Sequence, residues 1–129
     1  MKQVHILIPA YNPDEKLLHI VEEVLAANFS VIVVDDGSEV GLEIFDELKR
    51  FPSCCVLHHA INLGKGRAIK TGLNYCYVNF PKSVGVVTAD ADGQHLSTDI
   101  KKVADALLES PSKFIIGSRV FSKKNIPVR

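Results

Sequence analysis

Two carboxylates one residue apart close an apolar run in Val86-Val87-Thr88-Ala89-Asp90-Ala91-Asp92. In an extended backbone residues i and i+2 share a side, so Asp90 and Asp92 converge at the carboxyl end of a buried strand, where open α/β sheets bind their ligands. Like charges that close repel unless something positive lies between them, and carboxylate oxygens suit a hard divalent cation such as Mg²⁺ or Mn²⁺. Gln94 offers a neutral oxygen as a further ligand, whereas His95 suits such a cation less well. A metal holding a phosphate is the chemistry this spacing suggests. Asp and Gly after a strand also make an ordinary solvated turn, and the motif alone slightly favours that reading.

Other strand ends carry reactive side chains. Pro9-Ala10-Tyr11-Asn12-Pro13 follows the first apolar run; Tyr11 could stack on a flat ligand and Asn12 could hydrogen-bond it, or the segment is a plain turn before a helix. Val33-Val34-Asp35-Asp36-Gly37-Ser38 ends in adjacent acids that point to opposite sides, so only one can face a cleft and accept from a base N–H or a ribose hydroxyl. Asp35 with Ser38 reads more simply as a turn or helix cap. Asn62-Leu63-Gly64-Lys65-Gly66-Arg67-Ala68 opens a helix with glycines and two cations, a weak phosphate cradle that lacks both the phosphate-loop and the dinucleotide glycine patterns, so that taken alone it reads first as a helix start with solvated basic residues. Gly117-Ser118-Arg119 places a guanidinium on the same edge, where it could grip a phosphate or lie on the surface. His5, His19, His58 and His59 have no spaced partner that argues for zinc and read as structural.

The elements that must position these loops alternate in type. Strands are expected at Val4–Ile8, Ser30–Val34, Cys54–His58, Ser83–Ala89 and Lys113–Gly117. Helices are expected at Asp14–Ala27, where Leu17, Leu18, Val21, Val24 and Leu25 recur at helical spacing, and at Val40–Arg50, Gly64–Val78 and Ser97–Glu109. The β-α repeat predicts a three-layer α/β fold, a mostly parallel sheet with helices on both faces. No repeat, low-complexity tract or linker divides residues 1–129, so one domain is expected.

The 129 residues suffice for one core, and 47% hydrophobic with 23% charged residues is the balance of a soluble globular domain. Fifteen basic and fifteen acidic residues cancel, which removes the bulk electrostatic case for nucleic acid, although Lys123, Lys124 and Arg129 crowd the C-terminus. No apolar stretch is long enough to cross a bilayer, so a cytoplasmic chain is expected. Cys54, Cys55 and Cys76 are odd in number and lack metal-site spacing, and read as reduced packing residues.

Taken in order, the loops after Ile8, Val34, His58 and Ala89, together with Gly117-Ser118-Arg119, resemble the nucleotide-binding half of family 2 glycosyltransferases of the GT-A fold. Within that family the chain looks most like the polyprenyl-phosphate sugar transferases of the dolichyl-phosphate mannose synthase type. The resemblance spans nearly the whole chain. It implies a donor site in which Pro9, Ala10, Tyr11 and Asn12 border the nucleotide base, Asp36 recognises base or ribose, and Lys65 borders base and phosphates. Asp90, Ala91 and Asp92 match the DxD signature that holds the donor, with Asp90, Asp92 and Gln94 as ligands of Mg²⁺ or Mn²⁺. Arg119 matches a basic residue near the phosphates.

The implied reaction is transfer, with inversion, from a UDP- or GDP-linked sugar to an acceptor such as a polyprenyl phosphate at the cytoplasmic membrane face. Asp92 would take the catalytic part through the metal. Members commonly carry a glutamate after the Tyr-Asn pair where this chain has Pro13, which leaves the base open. They also continue into an acceptor-binding half, so the chain is expected to be a truncated form that binds donor and turns over poorly. A non-catalytic nucleotide-sugar-binding module fits the same motifs. A receiver domain fits less well, because its acid pair should follow the first strand, and dinucleotide oxidoreduction lacks its glycine fingerprint.

Overall fold

The computed structural model describes residues 4–91, 97–109, 113–116 and 119–122. The elements run β1 (Val4–Ala10), α1 (Glu15–Ala26), β2 (Ser30–Asp35), α2 (Leu42–Leu48), β3 (Cys54–His58), α3 (Lys65–Asn79), β4 (Gly85–Thr88), α4 (Ser97–Glu109), β5 (Lys113–Ile116) and β6 (Arg119–Ser122). The strands form one sheet in the order β3-β2-β1-β4-β5-β6, parallel except for β6, which runs antiparallel to β5.

Every residue of β1 and β2 is buried, as expected for central parallel strands covered on both sides. Their side chains alternate between two cores. Ile6, Ile8, Val31 and Val33 pack with Leu17 and Val21 of α1, Phe45 of α2 and Ile100 of α4. Leu7, Ile32, Val34 and Val86 face the other way, onto Ala68 and Cys76 of α3. Helices therefore cover both faces, which makes the fold the three-layer α/β arrangement anticipated from the β-α repeat. α3 approaches closely because Gly72 sits between Ala68 and Cys76 at four-residue spacing. A Cβ on Gly72 would lie 2.2 Å from Leu7 Cδ1.

The chain winds from β1 outward through β2 to β3, then crosses back to place β4 on the other flank of β1. This reversal opens a crevice beyond the carboxyl ends of β1 and β4. Asp14 caps α1 by accepting from Lys16 N–H at 2.9 Å, so the proline and acids before the helix do start it.

Most boundaries differ from the sequence expectation by one or two residues, β1 for example running on to Ala10. α2 begins at Leu42 and not at Val40, because Gly41 adopts φ +76° against the carbonyl of Pro13 and the Val40 N–H is held by Asn12. β4 begins at Gly85, since Ser83 is still turning with its N–H on Phe80 O. β6 was not expected at all: its four residues are too short to show a period, and only the pairing with β5, with Phe114 opposite Phe121, defines them. The three cysteines are free, and burial, with Cys55 beside it, pushes the Cys54 thiol up to about 12.

Candidate functional site

The loops beyond β1, β2 and β3 are stitched to one another by side chains that look disposable in isolation. Asn12, at φ +48°, donates its N–H to Ser38 Oγ at 2.8 Å, and its Oδ1 accepts from Glu39 N at 2.9 Å and Val40 N at 3.2 Å. Asn12 thus ties the first loop to the second and is not among the residues that line the crevice. Gly37, at φ +72°, lies where a Cβ would come within 2.2 Å of the Ile61 carbonyl carbon. Only glycine permits both that backbone angle and that approach of the second loop to the third.

The two acids after Val34 divide as adjacent strand residues must. Asp35 accepts from Ser38 N at 2.8 Å and pairs with His58 Nδ1 at 2.7 Å, on the side where His58 meets the Phe45 ring. Asp36 lines the crevice. Its Oδ1 accepts from His59 Nδ1 at 2.8 Å and Leu63 N at 2.8 Å, and its Oδ2 from Gly64 N at 2.9 Å. Burial works against its charge, but the His59 hydrogen bond, the two backbone N–H bonds and the charge of His59 outweigh it and hold the carboxyl below the usual carboxylate range.

On the other flank of β1, Lys65 at the start of α3 reaches Asp90 beyond β4, with Nζ 2.5 Å from Oδ1. Pro9, Ala10 and Tyr11 form the wall between, and Tyr11 is 49% exposed. Asn62, Gly64 and Ala91 complete a cleft of about 460 Å³, within the range of small-ligand sites. The structure therefore gathers Pro9, Ala10, Tyr11, Asp36, Lys65, Asp90 and Ala91 in one place. Asp92 and Gln94 lie outside the described residues. Arg119 enters the sheet as the first residue of β6, opposite Ile116.

Each end of the cleft carries a carboxylate, Asp36 with its backbone N–H donors at one and Asp90 with the Lys65 ammonium at the other, a distribution suited to a ligand that joins a hydrogen-bonding ring system to a charged group. Asp90, 24% exposed on its side chain, already draws a cation to itself in Lys65, so its chemistry fits a hard divalent ion. Among the described residues no cluster of three or more potential ligands forms. His59, read from the sequence as structural, is the side chain that meets Asp36 behind the cleft. The signal was present in outline: a histidine ends β3 and a second follows it, opposite an aspartate that ends β2 and a second that follows it, and register pairs Asp35 with His58.

Among the described residues no helix is long and apolar enough to cross a membrane. The model of glycosyl transferase family 2 matches residues 5–128. The chain is 30% identical over 148 residues to the UDP-N-acetylglucosamine–dolichyl-phosphate N-acetylglucosaminyltransferase of Methanococcus voltae, covering 98% of this chain and 57% of that protein. It is 29% identical over 121 residues to dolichyl-phosphate beta-glucosyltransferase of Homo sapiens, covering 82% and 36% respectively. An identity of 31% over 116 residues links it to the undecaprenyl-phosphate 4-deoxy-4-formamido-L-arabinose transferase of Pectobacterium carotovorum, covering 81% of this chain and 33% of that protein. The chain spans about half or less of the length of these curated relatives. With a parallel sheet whose strand ends converge on one cleft, and a family match running almost from end to end, the chain belongs to glycosyl transferase family 2.

Proposed function

We propose that this chain carries the donor site of a glycosyltransferase that moves a sugar from a nucleoside diphosphate to a polyprenyl phosphate, with inversion. The observation that carries the reading is the single cleft joining Asp36 at one end to Lys65 and Asp90 at the other. Named relatives that act on dolichyl and undecaprenyl phosphates support the acceptor class.

In this reading Tyr11 stacks on the base, and Asp36 accepts from a base N–H or ribose hydroxyl. The diphosphate lies toward the first turn of α3, where Lys65 exchanges Asp90 for phosphate oxygen. Asp90, Asp92 and Gln94 would hold a divalent cation, Mg²⁺ or Mn²⁺, which supplies Lewis-acid stabilisation of the leaving diphosphate. An oxygen of the acceptor phosphate bonds to the anomeric carbon from the face opposite the leaving diphosphate. The bond from that carbon to the diphosphate oxygen breaks, and its electron pair leaves with the nucleoside diphosphate. The acceptor is already anionic, so no general base has to remove a proton. Such an acceptor would bring the protein to the cytoplasmic face of a membrane.

Calorimetric titration with UDP, GDP, UDP-N-acetylglucosamine, UDP-glucose and GDP-mannose, each with and without Mn²⁺, tests the donor half. Metal-dependent binding of one base series, lost in Asp92→Ala, is the expected result. Indifference to every nucleotide would contradict it.

A further inference from the structure

His59 stands one residue beyond β3, outside the cleft lining, and is buried to 8% side-chain exposure. Asp36 is an acceptor through both oxygens, so His59 Nδ1 donates to it. The opposite ring nitrogen, Nε2, meets Thr71 Oγ1 of α3 at 2.8 Å. A hydroxyl can donate or accept, so Thr71 holds the ring in either of its charge states. The imidazole is pinned at both ends, between the strand end that carries Asp36 and the helix whose first turn borders the cleft.

A carboxylate offers about four acceptor sites. His59 and Leu63 take two on Oδ1 and Gly64 takes one on Oδ2, which leaves a second site on Oδ2 for a ligand. Without the imidazole, Oδ1 regains an acceptor site with no protein donor, and the carboxylate loses a charge-assisted bond that opposes its burial. We propose that His59, braced by Thr71, is a positioning residue of the nucleotide site, which holds the Asp36 carboxylate oriented so that one oxygen lone pair is presented to the base or ribose. The inference rests on the donor-site reading above. His58 is the internal control: it makes the same kind of bond to Asp35, but with the acid that does not line the cleft.

The test measures binding of UDP and GDP to this chain with Mg²⁺, beside inorganic pyrophosphate, which lacks base and ribose. His59→Phe, which keeps the ring without its donor, should weaken the preferred nucleotide about tenfold, the loss of one hydrogen bond to a charged group. Pyrophosphate affinity should stay unchanged. His59→Asn, which restores an N–H near the Nδ1 position, should recover most of the loss, and His58→Phe should cause none. Should His59→Phe not fold, Thr71→Val carries the same expectation at about threefold, since it removes one end of the brace. Nucleotide affinity equal to the parent in the folded variants, or an equal loss for pyrophosphate, overturns the positioning role while leaving the donor site standing. A parent chain that binds neither nucleotide overturns the donor-site reading and this inference with it.

Discussion

Asp36 and Asp90 sit at opposite ends of one cleft and are stabilised in opposite ways. Asp36 is buried and held by three protein donors, so its substitution touches the fold as well as the ligand. Asp36→Asn should lower unfolding free energy by about 2 kcal/mol, because three donors exchange a charged acceptor for a neutral one, and denaturant titration reads this directly. Asp90 is partly open and answers to Lys65, whose side chain is 63% exposed. An ion pair of that exposure contributes ~0–1 kcal/mol, so Lys65→Met should leave the melting midpoint within about 4 °C. The same substitution should weaken nucleoside diphosphate binding by roughly tenfold through the lost phosphate contact, a separation that calorimetry beside thermal melting would reveal. At this scale the sequence showed which residue types stand at strand ends but not which of them meet. Asn12 shares its motif with Tyr11, yet its short amide turns into the neighbouring loop, a partnership 26 to 28 residues away that no local pattern encodes.

The elements place these residues through two glycines that act at a distance from the chemistry. Gly37→Ala puts a Cβ into the Ile61 backbone at a positive φ, and should cost about 2 kcal/mol or more while displacing Asn62 and Gly64 from the cleft. Gly72→Val drives a branched side chain into Leu7, fully buried in β1, and should cost about 1–3 kcal/mol by overpacking; chemical denaturation of both variants checks the pair. Element order was readable because β1 is an apolar run broken near its start by His5, β2 carries four apolar residues in a row, and α1 repeats leucine and valine at helical spacing. Their ends were less readable. The start of α2 depends on Gly41 lying against Pro13, and β6 exists through its pairing with β5, so tertiary contact and not propensity sets both.

Across the whole molecule, protonation should erode stability in two separate windows. Burial lowers the pKa of His5, so the fold prefers the neutral ring while the unfolded chain titrates near 6.5. Its contribution is complete above that value and is lost as pH falls below it toward the folded pKa. Asp36 is held below the ordinary carboxylate value near 4, so its contribution persists to lower pH and is lost as pH falls through that depressed pKa. Unfolding free energy measured from pH 7.5 to 3 should show both declines, and His5→Gln should flatten the first while sparing the second. The central claim is that one cleft at the carboxyl edge of the sheet receives a nucleoside diphosphate. Amide chemical-shift mapping with UDP or GDP and Mg²⁺ tests it most directly. Shifts concentrated at Ala10, Tyr11, Asp36, Asn62, Gly64, Lys65, Asp90 and Ala91 are predicted, and saturable shifts gathered elsewhere on the surface, or none with either nucleotide, would contradict it.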